Sequence, residues 1–318
     1  MSRSLKAHAL LVLVTLIWGT TFVLIKAALQ DASPLLFNAV RMVLAATLLA
    51  IFYRKQLLQL TRPALLSGIV VGIFLFFGYA FQITGLKLTT PSKSAFLTGS
   101  STVMVPLILV ALWRTKIRLW RTVGIVAAFA GLFLMTVPSG KQGLGDLANI
   151  NLGDLLTIAC ALGFALQIVF LGRATQRHAF EQMAALQVIV AALLMAATAP
   201  LLERPHFHLS ATLVSAILIT GILGLALGYT VQAWAQQFTP ATHTALIFNL
   251  EPVFAWLTSF IYLHERLGLR AGAGALLILA GVMVSELLGS GSKPEPELAR
   301  NGPAADSRAD NGNHGFRV

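Results

Sequence analysis

ATHTALIFNLEPVFAWLTSFIYLHE, residues 241–265, is the stretch on which the fold turns. It is apolar enough to cross a bilayer, yet Glu251 stands ten residues in and Pro252 follows at once. An acid and a helix breaker are both costly in hydrocarbon. An ionisable residue at that depth points to a functional site. Proline lacks a backbone donor and leaves the Phe248 carbonyl without its helical partner. Such defects persist where they face protein or a watery cavity.

Composition says that the surroundings are lipid. The chain of 318 residues is 57% hydrophobic and 11% charged, with mean hydropathy +0.79. A soluble domain carries about 25% charged residues. The net charge of +11 does not indicate nucleic acid, because the basic residues sit in short loops between apolar runs, where they act as topology signals. Cys160 is the single cysteine, so an intrachain disulfide and a Cys/His metal set are both excluded. The sequence lacks a Walker-type phosphate loop, which argues against ATP-driven pumping by this chain. No cofactor and no metal are expected.

Outward from residues 241–265, apolar runs of roughly 20 residues recur along the chain, each able to cross ~30 Å of hydrocarbon. They fall at 8–29, 34–53, 64–85, 92–113, 120–137, 154–172, 182–202, 211–235, 242–263 and 269–288. A Gly-, Asn- and Asp-rich linker, 138–153, divides them into two halves, 1–137 and 154–289. Residues 290–318 are polar and rich in Pro and Gly, and form a disordered tail. The halves are repeats. At an offset of 150, Gly78, Tyr79 and Gln82 fall on Gly228, Tyr229 and Gln232. Gly124 falls on Gly274 and Gly131 on Gly281; at an offset of 144, Gly19 falls on Gly163. An odd number of spans per half forces opposite insertion. The expected fold is therefore an all-α integral membrane protein of ten transmembrane helices, arranged as two inverted five-helix repeats. Inverted repeats point to a transporter with its site near the midplane.

Lysine and arginine counts orient the chain. With a cytoplasmic N-terminus, the inner segments carry eleven before the tail and the outer loops six. Both termini are thus expected inside a plasma (inner) membrane.

Several stretches resemble the EamA-type drug/metabolite transporter (DMT) superfamily. Ile17-Trp18-Gly19-Thr20-Thr21-Phe22 resembles its first-span motif, and Arg41 resembles the arginine that often stands in its second span. Ser94-Ala95-Phe96-Leu97-Thr98-Gly99 with Val105-Pro106 resembles the fourth span. Leu250-Glu251-Pro252-Val253 with His264-Glu265-Arg266-Leu267 resembles the ninth, and Leu277-Ile278-Leu279-Ala280-Gly281-Val282 the tenth. The resemblance covers about residues 8–289 and implies alternating access by a secondary carrier, commonly an exporter of metabolites. One departure stands out. Trp113-Arg114-Thr115-Lys116 lacks the glutamate that its repeat mate, Leu263-His264-Glu265-Arg266, retains.

The candidate site residues follow from depth and face. Glu251 lies ~15 Å deep at 1.5 Å per residue. Its repeat mate is Ser101, and Thr98 shares the Ser101 side of span four. The faces Thr244/Glu251 and Ser94/Thr98/Ser101 are expected to meet and line one cavity. A titratable group there can take a proton or a cationic part of the substrate, or can be held by Arg41 or Lys26 for packing. Asn249 adjoins the acid. Arg41 suits a carboxylate or phosphate, or a structural contact. Tyr79 with Gln82, and Tyr229 with Gln232 and Gln236, lie at i, i+3 and i+7. They either line the substrate path or bond helix to helix; Gln167 and Gln187 are weaker candidates of the same kind. Trp18 is too deep for an interfacial belt and offers an aromatic wall or a packing element. The expected partners are a small-molecule substrate and the bilayer, with no nucleic acid. Monomer and homodimer both remain open, as do a uniporter or channel in place of a coupled carrier. A membrane enzyme would need a catalytic cluster, and only Glu203, His206 and His208 group together.

Overall fold

The structure, a computed structural model, describes residues 2–86, 88, 91–137, 150–263 and 268–289. The tail from 290, most of the linker (138–149) and the His264–Leu267 motif lie outside the described residues, as do the side chains of Phe22 and Lys26. What is described is helical apart from short connections and one isolated β-bridge, Ala32 with Phe207. The helices are α1 (Arg3–Ala28), α2 (Pro34–Phe52), α3 (Arg54–Leu58), α4 (Arg62–Leu86), α5 (Pro91–Gly99), α6 (Ser101–Trp113) and α7 (Leu119–Thr136). After the linker come α8 (Leu152–Ala174), α9 (Phe180–Leu202) and α10 (Ala211–Ile219). A π-helical turn (Thr220–Leu227) leads into α11 (Gly228–Ala235), followed by α12 (Ala241–Phe248), α13 (Glu251–Leu263) and α14 (Leu269–Gly289).

Each expected apolar run is helical, but three are not continuous α-helices. Span four breaks at Ser100, span nine at Asn249–Leu250, and span eight passes through the π-helical turn. Among the described residues, eight stretches are long and apolar enough to cross a membrane, the last being Ala211–Ala235. Leu269–Ser285 is a shorter apolar helix. Leu107, Val126, Leu193 and Leu276 point outward and are more than half exposed. A soluble protein rarely spreads apolar surface so widely.

The helix starts are written in the sequence. Ser2 Oγ accepts from Leu5 N, and Pro34 sits at the first position of α2, where a missing N–H costs nothing. Asn151 and Asp154 form a reciprocal capping box at α8, with bonds of 2.8 and 3.0 Å. Pro252 is the second residue of α13, so the break just before it removes most of the penalty of an interior proline.

Glycine brings the two halves together. A Cβ on Gly124 would sit 2.5 Å from the Gly281 carbonyl, and one on Gly281 would sit 2.5 Å from the Gly124 carbonyl. Gly131 and Gly274 meet in the same reciprocal way. Residue numbers rise along α7 as they fall along α14, so these repeat-equivalent helices cross antiparallel. Each repeat mate meets the other's partner, the self-complementary pattern of a two-fold contact. With no hydrophobic force between helices in lipid, such backbone approach is the main source of association. A second glycine contact joins α4 to α8, where a Cβ on Gly163 would strike the Gly78 backbone.

Gly131→Ala and Gly281→Ala should each lower stability by about 1–3 kcal/mol, because the obstructing atoms are backbone. Gly272→Ala meets only the tip of Trp256 at 3.8 Å and should be neutral or stabilising by about 0.5–1 kcal/mol. Thermal melts of the three purified variants check this. Equal effects at all three positions would remove the packing account.

Candidate functional site

The two broken spans meet at their breaks. At the second break, Asn249 N bonds Leu246 O at 3.2 Å and Leu250 N bonds Ile247 O at 3.0 Å. These are i→i−3 bonds, so the helix tightens and stops, and the Ala245 carbonyl loses its usual donor. Thr102 of α6 supplies the replacement, its Oγ1 donating to Ala245 O at 3.2 Å. The first break is built alike, with Ser100 N on Leu97 O. Gly99 gives room there: a Cβ would run into Leu132 and would lie 3.3 Å from Asn249 Oδ1. The contact between spans four and nine therefore runs through Thr102 and Gly99. Ser101, the mate of Glu251, is partly buried beside it. Thr98 turns to Cys160 on α8, with Oγ1 and Sγ 3.9 Å apart, and the Thr244 hydroxyl bonds back to Pro240 O.

Glu251 is the first residue of α13. A helix N-terminus presents unpaired N–H groups and positive potential, which suits a carboxylate. Gly19 of α1 packs against it so closely that a Cβ there would be 2.8 Å from the Glu251 carbonyl. Glu251 also lies within electrostatic reach of Tyr79, Tyr229 and Cys160. Among the described residues, no ion pair joins it to Arg41. Asn249, next to the acid, is buried, and its Nδ2 has no hydrogen-bond partner among the described residues.

An aromatic row runs from this break towards α2. Trp18 stands 4.9 Å from Phe248 and 5.8 Å from Tyr229, centroid to centroid. Its indole Nε1 donates at 2.8 Å to Gly224 O, within the π-helical turn. A π-helical turn shifts the regular bonding and is often found at functional sites. Tyr229 Oη donates to Tyr79 Oη at 2.9 Å, and Phe164 stands edge-on to Tyr79 at 5.2 Å. Arg41 closes the row. Its guanidinium lies 5.2 Å from the Tyr79 ring and 5.3 Å from Phe37, and its Nε donates to Asn38 Oδ1 at 2.8 Å.

The glutamines are placed differently from the tyrosines they follow. Gln167 Nε2 donates to Gln187 Oε1 at 2.7 Å, and Gln232 Nε2 to Gln167 Oε1 at 3.2 Å. Gln236 Nε2 donates to Ile168 O at 2.9 Å. All four are buried and tie α8, α9 and α11 together. Their bonds run helix to helix, away from the aromatic row. Gln82 is partly buried. The structure thus gathers Trp18, Arg41, Tyr79, Tyr229, Asn249 and Glu251 around one region and gives Gln232 and Gln236 structural partners. Asn38 joins the group. Its i, i+3 spacing to Arg41 on a helix was the available signal.

Comparisons with known proteins bear on the same chain. The EamA-like transporter family matches residues 5–137 and 151–287. An "Uncharacterized transporter" of Archaeoglobus fulgidus is 30% identical over 285 residues, covering 90% of this chain and 87% of its own. The "Uncharacterized transporter YoaV" of Bacillus subtilis is 25% identical, covering 86% and 94%. A protein of Salmonella typhimurium named "Probable amino-acid metabolite efflux pump" is 27% identical, covering 90% and 95%. One solved crystal structure superposes with a TM-score of 0.73 at 19% identity, covering 90% of this chain and 99% of its own, and shows the fold alone.

Thr102→Val removes the donor to Ala245 O while keeping the side-chain volume. It should cost about 0.5–2 kcal/mol, the range for an interhelical hydrogen bond in a membrane protein. Thr102→Ser should cost less. Thermal unfolding in detergent compares them. A valine variant as stable as the parent would mean that the Ala245 carbonyl finds another donor.

Proposed function

The chain belongs to the EamA-like transporter family, and from that premise we propose a ten-helix secondary carrier that works by alternating access. Residues 1–137 and 154–289 are its two inverted five-helix repeats, joined by 138–153, with a cytoplasmic tail at 290–318. Both termini face the cytoplasm of a plasma (inner) membrane. The cargo is a small polar or amphipathic metabolite, moved outward. The two repeats rock about the cavity beside the broken helices, and Glu251 exchanges a proton in step with the substrate.

One observation carries this reading. The breaks of spans four and nine lie side by side, bound through Thr102 and Ala245, and an acid heads the second half-helix. Non-helical backbone at membrane depth is tolerated where it is buried in protein or lines a cavity. In transporters, half-helix ends supply ion and substrate sites. Trp18, Phe248, Tyr79 and Tyr229 give that cavity an aromatic wall, with Thr98, Ser101 and Asn249 as polar contacts near the acid. Gln82 remains a candidate lining residue; Gln232 and Gln236 hold the wall in place from behind. The family and the names of its relatives favour a carrier over a membrane enzyme.

Proteoliposomes holding a pH-sensitive dye test the coupling. On addition of amino acids, organic acids or amines in turn, the parent protein should change luminal pH with at least one of them. Glu251→Gln should abolish the proton signal while still exchanging labelled for unlabelled substrate. A glutamine variant that moves protons as the parent does would overturn the role of Glu251. A parent that exchanges substrate without any proton signal would favour the uniporter.

A further inference from the structure

Arg41 is a cation whose protein contacts leave it short of acceptors. Its side chain is 6% exposed and lies on α2. A guanidinium has five N–H donors. Among the described residues only Nε is given an acceptor, Asn38 Oδ1. The rest of the group faces the rings of Phe37 and Tyr79. Ring faces attract a cation but accept no directed N–H bond of ordinary strength. No carboxylate among the described residues forms an ion pair with Arg41.

Asn38 repeats the shortage. It is fully buried, its Oδ1 is taken by Arg41, and its Nδ2 has no partner among the described residues. A buried donor left unpaired carries its full desolvation cost, and a buried charge a larger one. Among the buried amides, Gln167, Gln232 and Gln236 donate to acceptors, whereas Gln187 Nε2 and Asn249 Nδ2, like Asn38 Nδ2, have none among the described residues. Arg41 and Asn38 form a set of donors, one turn of helix apart, with positive charge and, among the described residues, no acceptor given beyond Asn38 Oδ1 itself.

A donor-only set around a planar fork is the complement of a carboxylate, which accepts two parallel N–H bonds. We propose that Arg41 and Asn38 form a subsite for the carboxylate of the transported molecule. A single guanidinium balances one negative charge, so a monocarboxylate fits better than a phosphate dianion. The row Tyr79, Tyr229, Trp18, Phe248 runs on from this pole, with ring centroids 6.5, 5.8 and 4.9 Å apart. Tyr229 is buried, and it is the partly buried rings of Trp18, Tyr79 and Phe248 that would meet an apolar or aromatic body in this subsite. The substrate class is thus an organic monocarboxylate with an apolar or ring-bearing body. This inference rests on the carrier reading of the same cavity.

Labelled benzoate, competed by benzoate or by benzamide, tests it on the purified full-length protein. The two competitors match in shape and differ in charge. The parent should bind benzoate at least about tenfold more tightly than benzamide. Arg41→Gln should bring that ratio to about one, Arg41→Lys should keep part of it, and Asn38→Ala should reduce it. If the arginine variants do not fold, the parent ratio and Asn38→Ala still decide the matter. No displaceable benzoate binding, equal affinity for the two competitors, or an unchanged ratio in Asn38→Ala overturns the subsite. A parent that couples proton flux to amines or neutral solutes, yet does not distinguish benzoate from benzamide, keeps the carrier reading and loses the carboxylate subsite.

Discussion

A backbone carbonyl in hydrocarbon must find a donor, and that constraint organises the centre of this molecule. The helix of span nine stops after Phe248, so Ala245 O needs a partner from elsewhere, and Thr102 of span four provides it. The two broken helices lie against each other at their breaks, joined by this bond. Their meeting depends in turn on glycine. Gly99 lets the Asn249 side chain approach, Gly19 lets α1 lie on the backbone of Glu251, and the Gly124/Gly281 and Gly131/Gly274 contacts bring α7 against α14. Removing Cβ atoms at these few positions allows close backbone approach, and close approach is what allows the breaks.

Much of this was legible beforehand. The apolar runs set the helices, and their ends fell within a few residues of those found. The offset of 150 identified the glycine mates. The reciprocal contact between α7 and α14 is what such an offset produces when the two copies are inverted. Trp18, expected at depth as an aromatic wall or a packing element, bonds through its indole to Gly224 O.

The breaks and the π-helical turn were not legible, for a physical reason. A helix that is apolar on every side has no periodicity to lose, so an interruption leaves the pattern unchanged. Pro252 marked a defect, but a proline at the second position of a new helix and one in a kinked helix look the same in one dimension. The bond from Thr102 to Ala245 spans 143 residues of sequence and has no local trace. The glutamines show a related ambiguity. The i+3 and i+7 spacings placed Gln232 and Gln236 on the face of Tyr229, but a helical face is wide enough to serve two neighbours. The tyrosine turned to Tyr79 while the glutamines turned to α8.

The scaffold is close to symmetric and its chemistry is not. Glu251 has Ser101 as its mate, so the acid belongs to the second repeat alone. Arg41, with Asn38, belongs to the first. For the proposed alternating access, a two-fold backbone would supply two arrangements of similar energy, because exchanging the conformations of the repeats exchanges inside for outside. A symmetric set of polar groups would provide two equivalent half-sites. The acid stands on one repeat and the cation on the other, with the Tyr79–Tyr229 bond and Trp18 in the same region, so the proposed site has two unlike ends. In the proposed carrier the symmetry would serve the motion, and the asymmetry would fix which way round a cargo sits.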